Sequence, residues 1–432
     1  MVEGLLEGTC MRKFEKAMRN GLSAIALGAL AVSGLVGVTV AAAPAAVAQP
    51  KTSKEFYDAY TSAKSLVDGR KYSEALPKID AAANYAKSTQ EKGAIAGMKV
   101  ICYSGLKKNA ELIKAIQEHQ AIGGLSAAQQ TNYKGMLAGA YNATGQNAKA
   151  AEITKELVAS GGGDSTQLAF LAQSALSAKR YDEAASYATK AIDKAKAEGK
   201  KPVSAHYNIL LSSYRDTGKM DQYYSTLERV APMFNNEIYW KPLIEKAKTE
   251  KGFKSADGLL DVYRALDAAG VKLTDANKLE MGEQALTREM PIESEKILAP
   301  LVKSGVVGGA NDPKADRNKK LFATAQTNAK AAKDGGLAKA EADAAAKPTG
   351  DAFAKVGEGY YTNGNYPKAI EAIQKGIDKG QMEPGALAFA QLHLGMAQAK
   401  AGKKDDARKT WSTIKADNGA GWLARAWTAM SR

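Results

Sequence analysis

The sequence contains few of the residues that enzyme active sites and disulfide-stabilised folds require. Its 432 residues include only 2 cysteines and 3 histidines. The histidines, His119, His206 and His393, lie far apart, and none stands in a metal-ligand spacing such as H-E-x-x-H. Neither a G-x-S-x-G nucleophile pattern nor a G-x-G-x-x-G or Walker A phosphate-binding loop occurs. We therefore expect no catalysis, no metal ion and no cofactor.

The sequence does contain enough apolar surface for a folded core, together with an excess of positive charge. Hydrophobic residues make up 45% of the chain, and the mean hydropathy is −0.33. Lys and Arg number 60 against 46 Asp and Glu, giving a net charge of +14, so an anionic partner has to be considered. The lysine pairs are dispersed, as at Lys107-Lys108 and Lys403-Lys404, near expected helix ends where they complement the helix dipole. We expect no nucleic-acid partner.

The first 48 residues have the three parts of an export signal. Basic residues between Arg12 and Arg19 precede an apolar run from Gly21 to Val40, and small residues lead up to Ala48. We expect a signal peptide over residues 1–48, with Met11 as the better start and cleavage after Ala48. The mature protein would then be periplasmic or secreted, with no stable membrane insertion.

An uncleaved anchor is the alternative, because about 20 apolar residues can span a bilayer. The run is rich in Ala and Gly, which favours cleavage. Cys10 would leave with the leader, so that Cys102 would have no disulfide partner. Its apolar surroundings predict a small buried side chain in a helix.

A pattern of bulky and small residues recurs along the chain. Phe353, Val356 and Tyr360 are spaced as one face of a helix, Gly364 supplies a turn, and a second apolar stripe begins at Tyr366. Further copies, some of them weaker, lie at 59–75, 137–150, 168–191, 207–220 and 394–411. The small residues Ala150 and Ala184, which hold equivalent places in two copies, are separated by 34 residues.

These copies resemble the tetratricopeptide repeat (TPR), a 34-residue helix pair with the signatures W-x2-L-G-x2-Y and A-x3-F. Residues 353–376 match best, although no copy begins with Trp. The leader and the repeats together are typical of an exported bacterial member of the family. The resemblance implies an all-α fold, a right-handed α-solenoid of stacked antiparallel helix pairs.

The repeats and their interruptions suggest a division of the mature chain into three parts. We expect an N-terminal TPR-like array over 51–240, degenerate repeats or a helical linker over 241–350, and C-terminal repeats over 351–432. Trp422 and Trp427 would belong to a short helix that caps the last repeat.

The family resemblance also implies a binding surface, because the first helix of each TPR unit lines a concave groove. The polar residues carried onto that groove are Asn142, Gln173, Asn208, Ser212, Arg215, Glu358 and Tyr361. Such side chains can hydrogen-bond an extended peptide or a chain terminus. The positions that match the first lysine of the chaperone-binding TPR clamp hold no lysine, so that specialised function is not expected.

Two functions remain open at this point. The first is a non-catalytic scaffold or adaptor that binds a protein or peptide of the cell envelope in its groove. The second is a binder of anionic envelope polysaccharide or lipopolysaccharide through the basic surface. Because the lysines do not cluster in sequence, we favour the first.

Overall fold

The structure, a computed structural model, describes residues 52–161, 163–201 and 203–431, and over these ranges it contains helices and no β-strand. The chain divides between Gly218 and Lys219 into two compact units, each with its own core. Unit 1 is described from residue 52 to residue 218, and unit 2 from residue 219 to residue 431. The expected signal peptide lies outside the described residues.

Unit 1 consists of successive antiparallel helix pairs. Its helices are α1 (Lys54–Asp68), α2 (Tyr72–Ala83), α3 (Thr89–Gly105), α4 (Asn109–Ile122), α5 (Ala127–Ala143), α6 (Asn147–Ala159), α7 (Ser165–Ser177), α8 (Tyr181–Ala197) and α9 (Ser204–Asp216). Within each pair the two helices pack against each other, and every second helix also packs on the first helix of the next pair. This arrangement is the TPR-like α-solenoid that the repeats predict.

Local sequence signals fix where the first helices of unit 1 begin. Ser88, Ser126 and Asp164 each cap a first helix, and each forms a reciprocal capping box with the residue three positions on. Such a box satisfies two backbone N–H groups that would otherwise lack a partner. The pair α3–α4, for which the repeat pattern is poor, therefore still has a clear start signal. Cys102 is fully buried in α3, as predicted.

Unit 2 begins with helices that are less regular. Its helices are α10 (Met220–Phe234), α11 (Glu237–Glu245), a 3₁₀ turn (Lys246–Thr249), α12 (Ser255–Ala268), α13 (Asp275–Thr287), α14 (Pro291–Lys303), α15 (Ala315–Ala331), a π-helical turn (Ala332–Gly336), α16 (Leu337–Ala345), α17 (Asp351–Thr362), α18 (Tyr366–Lys379), α19 (Pro384–Lys400), α20 (Lys404–Ser412) and α21 (Ala420–Met430).

The best-matching repeat forms the close pair α17–α18. A Cβ atom added at Gly357 would lie 2.4 Å from Cγ1 of Ile373 and 2.9 Å from the carbonyl oxygen of Ala369. Only glycine therefore allows the two helix backbones to approach this closely. The expected degenerate pair also forms, as α13 and α14, which pack against each other through Gly282 and Leu298.

Two helices of unit 2 depart from a simple array in which each repeat touches only its neighbours. The C-terminal helix α21 packs on α19 and α20, as a capping helix would, but also on α10, α11 and α12. Its Trp427 is buried and stacks on Trp411 with ring centroids 6.1 Å apart. Helix α12 is buried on nearly all sides from Gly258 to Leu266.

Among the residues that the structure describes, no helix combines the length and the apolar character needed to cross a bilayer.

Candidate functional site

The first helices of unit 1 carry polar residues that reach solvent. Gln173 on α7 and Arg215 on α9 are exposed, and Asn142 on α5 is half-buried. Asn208 is exposed and Ser212 half-buried, both on α9. The structure thus places these five predicted residues on first helices, with their side chains at least partly exposed to solvent.

The backbone of α5 is open on this surface. A Cβ atom added at Gly135 or Gly139 would meet no atom within 4 Å. Gly139 is exposed and precedes Gln173 by 34 residues, so the two hold equivalent positions in successive first helices. A ligand on this surface could therefore approach the helix backbone closely at α5 and meet polar side chains on α7 and α9.

The other two predicted residues, Glu358 and Tyr361 on α17, have a different environment. We expected both to face an open groove, but Glu358 is only 4% exposed and ion-paired within the protein. Tyr361 is half-buried, and burial raises the pKa of its hydroxyl. The physical reason for the burial of Glu358 is that Arg264 of the chain's own helix α12, together with Arg288, ion-pairs with it.

Arg264 on α12 is the centre of a cluster of buried charges in unit 2. Its Nε donates to Oε1 of Glu293 at 2.9 Å, and its Nη2 donates to the other oxygen of the same carboxylate. Its Nη1 donates to Oε1 of Glu358 at 2.6 Å and to Oδ1 of Asp261 at 2.8 Å. A two-pronged pairing of guanidinium and carboxylate fixes orientation as well as distance.

A second arginine and a histidine complete this charge cluster. Arg288, which follows α13, donates through Nη1 to Oδ2 of Asp261 at 2.9 Å and through Nη2 to Oε2 of Glu358 at 3.1 Å. His393 on α19 places Nε2 3.0 Å from Oδ1 of Asp261 and Nδ1 3.7 Å from Oε2 of Glu358. Helices α12, α14, α17 and α19 are therefore joined by one ionic network.

The network keeps Asp261 and Glu358 ionised despite their burial. Burial alone would raise the pKa of Asp261, but His393, Arg288 and Arg264 lower it more, and the pKa lies well below the ordinary value. The same groups lower the pKa of Glu358 against the effect of burial. Burial lowers the pKa of Arg264, yet Glu293, Glu358 and Asp261 outweigh it and raise the pKa overall. Three acids thus face two arginines and one histidine.

Asp261, Glu358 and His393 also form a group whose ligand atoms lie within 4.8 Å of one another, as in many metal sites. The donors do not fit a cation here, because all four carboxylate oxygens already accept hydrogen bonds from Arg264 or Arg288. The two guanidinium groups would also repel a metal ion. The arrangement is suited to holding helices together.

Sequence reasoning missed Asp261, Arg264, Arg288 and Glu293 because no local pattern marks them. Arg264 and Glu358 are 94 residues apart, and Asp261 and His393 are 132 residues apart. The available signals were Glu358, which was predicted for a different role, and His393, a rare residue type that is buried in the structure.

Comparisons with known proteins show a weak likeness to helical-repeat structures. A structure of Naa15/Naa10 bound to HypK-THB has 14% identity and a TM-score of 0.35, covering 83% of this chain and 57% of that chain. The pentatricopeptide repeat protein PPR10 in complex with an RNA element has 15% identity and a TM-score of 0.25, with 83% and 56% covered. The APC/C hetero-tetramer Cut9-Hcn1 has 12% identity and a TM-score of 0.23, with 77% and 66% covered.

The chain thus spans somewhat more than half the length of the first of these structures. No family model and no curated protein matches the chain. Because the TM-scores are below 0.5, the fold rests on the helix pairing of this chain alone.

Proposed function

We propose that this protein is an exported, non-catalytic scaffold that binds a protein or peptide of the cell envelope on the first helices of unit 1. One observation carries the proposal: equivalent positions of successive first helices present open backbone at Gly139, an exposed amide at Gln173 and a hydroxyl at Ser212. An extended peptide offers backbone donors and acceptors at regular intervals, which such a row of polar groups can match. The export signal over residues 1–48 supports the envelope location.

Binding of an anionic glycan is the second candidate, and the net charge of +14 favours it. Some lysines of unit 1, however, are paired with acids, as Lys134 is with Glu156 at 2.7 Å and Lys155 with Glu183 at 2.5 Å. Pairing reduces the positive potential available to a polymer. These contacts favour the protein-binding function.

The test is crosslinking in cells, with a tagged chain and mass spectrometry of what is captured. The variant Asn208→Ala/Arg215→Ala removes one polar group and one cation from α9. The matched control, Thr189→Ala/Lys190→Ala, also removes one polar group and one cation. Both come from exposed positions on α8, which is the second helix of its pair.

We expect one or a few envelope proteins to be captured by the wild type and the control, and to be lost in the α9 variant. Capture that is equal in both variants would contradict binding on the first helices. Recovery of glycan alone, released by salt, would favour the second candidate instead.

A further inference from the structure

Helix α12 lies where a ligand of unit 2 would lie. Glu358 occupies a position on α17 that the TPR resemblance assigns to the groove, and Arg264 of α12 ion-pairs with it there. On α19, Phe389 approaches α12 so closely that a Cβ atom at Gly258 would lie 3.2 Å from its Cζ. The surface that in unit 1 is open to solvent is therefore occupied in unit 2.

The contacts between α12 and this surface are polar and specific. Asp261 and Arg264 stand three residues apart, so that both side chains leave the same face of α12. Asp261 meets Arg288 and His393, while Arg264 meets Glu293 and Glu358. Because a buried ion pair gains little net stability over hydrophobic residues of similar size, these pairs fix the position and orientation of α12 more than they stabilise it.

We propose that α12 is an internal ligand, and that the surface formed by α14, α17 and α19 is a recognition site for a helix that carries an aspartate and an arginine three residues apart. A partner protein presenting such a helix would bind by taking the place of α12. This inference refines the proposed function by assigning a second, closed site to unit 2. Its test uses no envelope partner, so either proposal can fail without the other.

The probe is a fluorescent peptide with the sequence of Ser255–Ala268. In the wild-type chain the tethered α12 competes with the peptide at a high effective concentration. Gly258→Leu loosens the internal helix without touching the charges, because a Cβ atom there would already lie 3.2 Å from Cζ of Phe389 on α19 and the leucine side chain is larger. A peptide carrying Arg264→Gln is the matched control.

We expect the folded Gly258→Leu chain to bind the peptide at least about tenfold more tightly than the wild type does. Adding Glu358→Gln to that chain, or Arg264→Gln to the peptide, should abolish the gain. A folded Gly258→Leu chain that binds neither peptide, or binds both equally, would overturn the proposal.

Hydrogen exchange of the wild-type chain provides a second measurement that needs no substitution. If α12 can leave its site while the pair α17–α18 stays folded, the amides of residues 260–266 will exchange at least about tenfold faster than those of residues 369–376. Equal exchange in the two segments would show that α12 opens only when unit 2 unfolds, and would contradict an exchangeable ligand.

Discussion

Arg264 shows how much of unit 2 depends on one side chain. It is 5% exposed and pairs with three carboxylates, those of Asp261, Glu293 and Glu358. Removing one member of a buried ionic group leaves its partners without compensation in a region of low dielectric, which costs far more than the pair contributes when complete. Arg264 is therefore the residue at which the ionic network is most sensitive.

We predict that Arg264→Met destabilises unit 2 by about 3–5 kcal/mol. All 4 tryptophans of the chain lie in unit 2, so urea unfolding followed by tryptophan fluorescence reports on this unit alone. The control is Lys355→Met, which removes an exposed pair with Glu289 in the same unit and should change stability by less than about 1 kcal/mol. An unchanged fluorescence midpoint for Arg264→Met would refute the role of the network.

Acid should weaken unit 2 for the same electrostatic reason. The folded protein lowers the pKa of Asp261, so its contribution to stability is complete above the unfolded value of about 3.9 and disappears as the pH falls further. We predict that the midpoint of urea unfolding, followed by tryptophan fluorescence, falls steeply below about pH 4 in the wild type. In Asp261→Asn the midpoint should start lower at neutral pH and fall less steeply. If the urea midpoints of the wild type and of Asp261→Asn fell in parallel with pH, Asp261 would not be held ionised by the folded protein.

At the scale of the elements, the helix pairs were predictable and the contacts between distant helices were not. The pairs follow from local signals: capping residues such as Ser126, apolar spacing within each helix, and small residues such as Gly357 where backbones meet. The region 311–347, part of the segment expected to form degenerate repeats or a helical linker, contains α15 and α16 joined by a π-helical turn. Its few large apolar residues gave no signal to decide between those two alternatives.

Two glycines on first helices should respond in opposite directions to alanine. Gly357→Ala would force a methyl group into the backbone of α18, so we predict a loss of about 1–3 kcal/mol in the stability of unit 2. Gly139→Ala meets open space and removes backbone entropy from the unfolded chain, so unit 1 should gain about 0.5–1 kcal/mol. Urea unfolding followed by circular dichroism, with tryptophan fluorescence for unit 2, measures both changes. If Gly139→Ala lowered the stability of unit 1 as much as Gly357→Ala lowers that of unit 2, the open surroundings of Gly139 would be contradicted.

At the scale of the whole molecule, the repeats predicted the all-α solenoid, but four of the six residues of the ionic network, Asp261, Arg264, Arg288 and Glu293, lie in the segment 241–350, outside the repeat matches. Helix α12, with Asp261 and Arg264, falls in the segment where the repeat pattern is weakest. Its contacts with Glu358 and His393 arise from tertiary folding over long sequence separations, which periodicity does not encode. The polar positions of unit 1, by contrast, follow from their places in the repeats.

The central claim is that the first helices of unit 1 hold a protein partner, and site-specific photocrosslinking in cells tests it most directly. A photoreactive side chain at Gly139 would project from α5 into open space, and the same side chain at Thr189 on α8 is the control. We predict a discrete crosslinked protein from position 139 and none from position 189. Crosslinking from position 189 alone, or from neither position when the chain is exported and folded, would contradict the account.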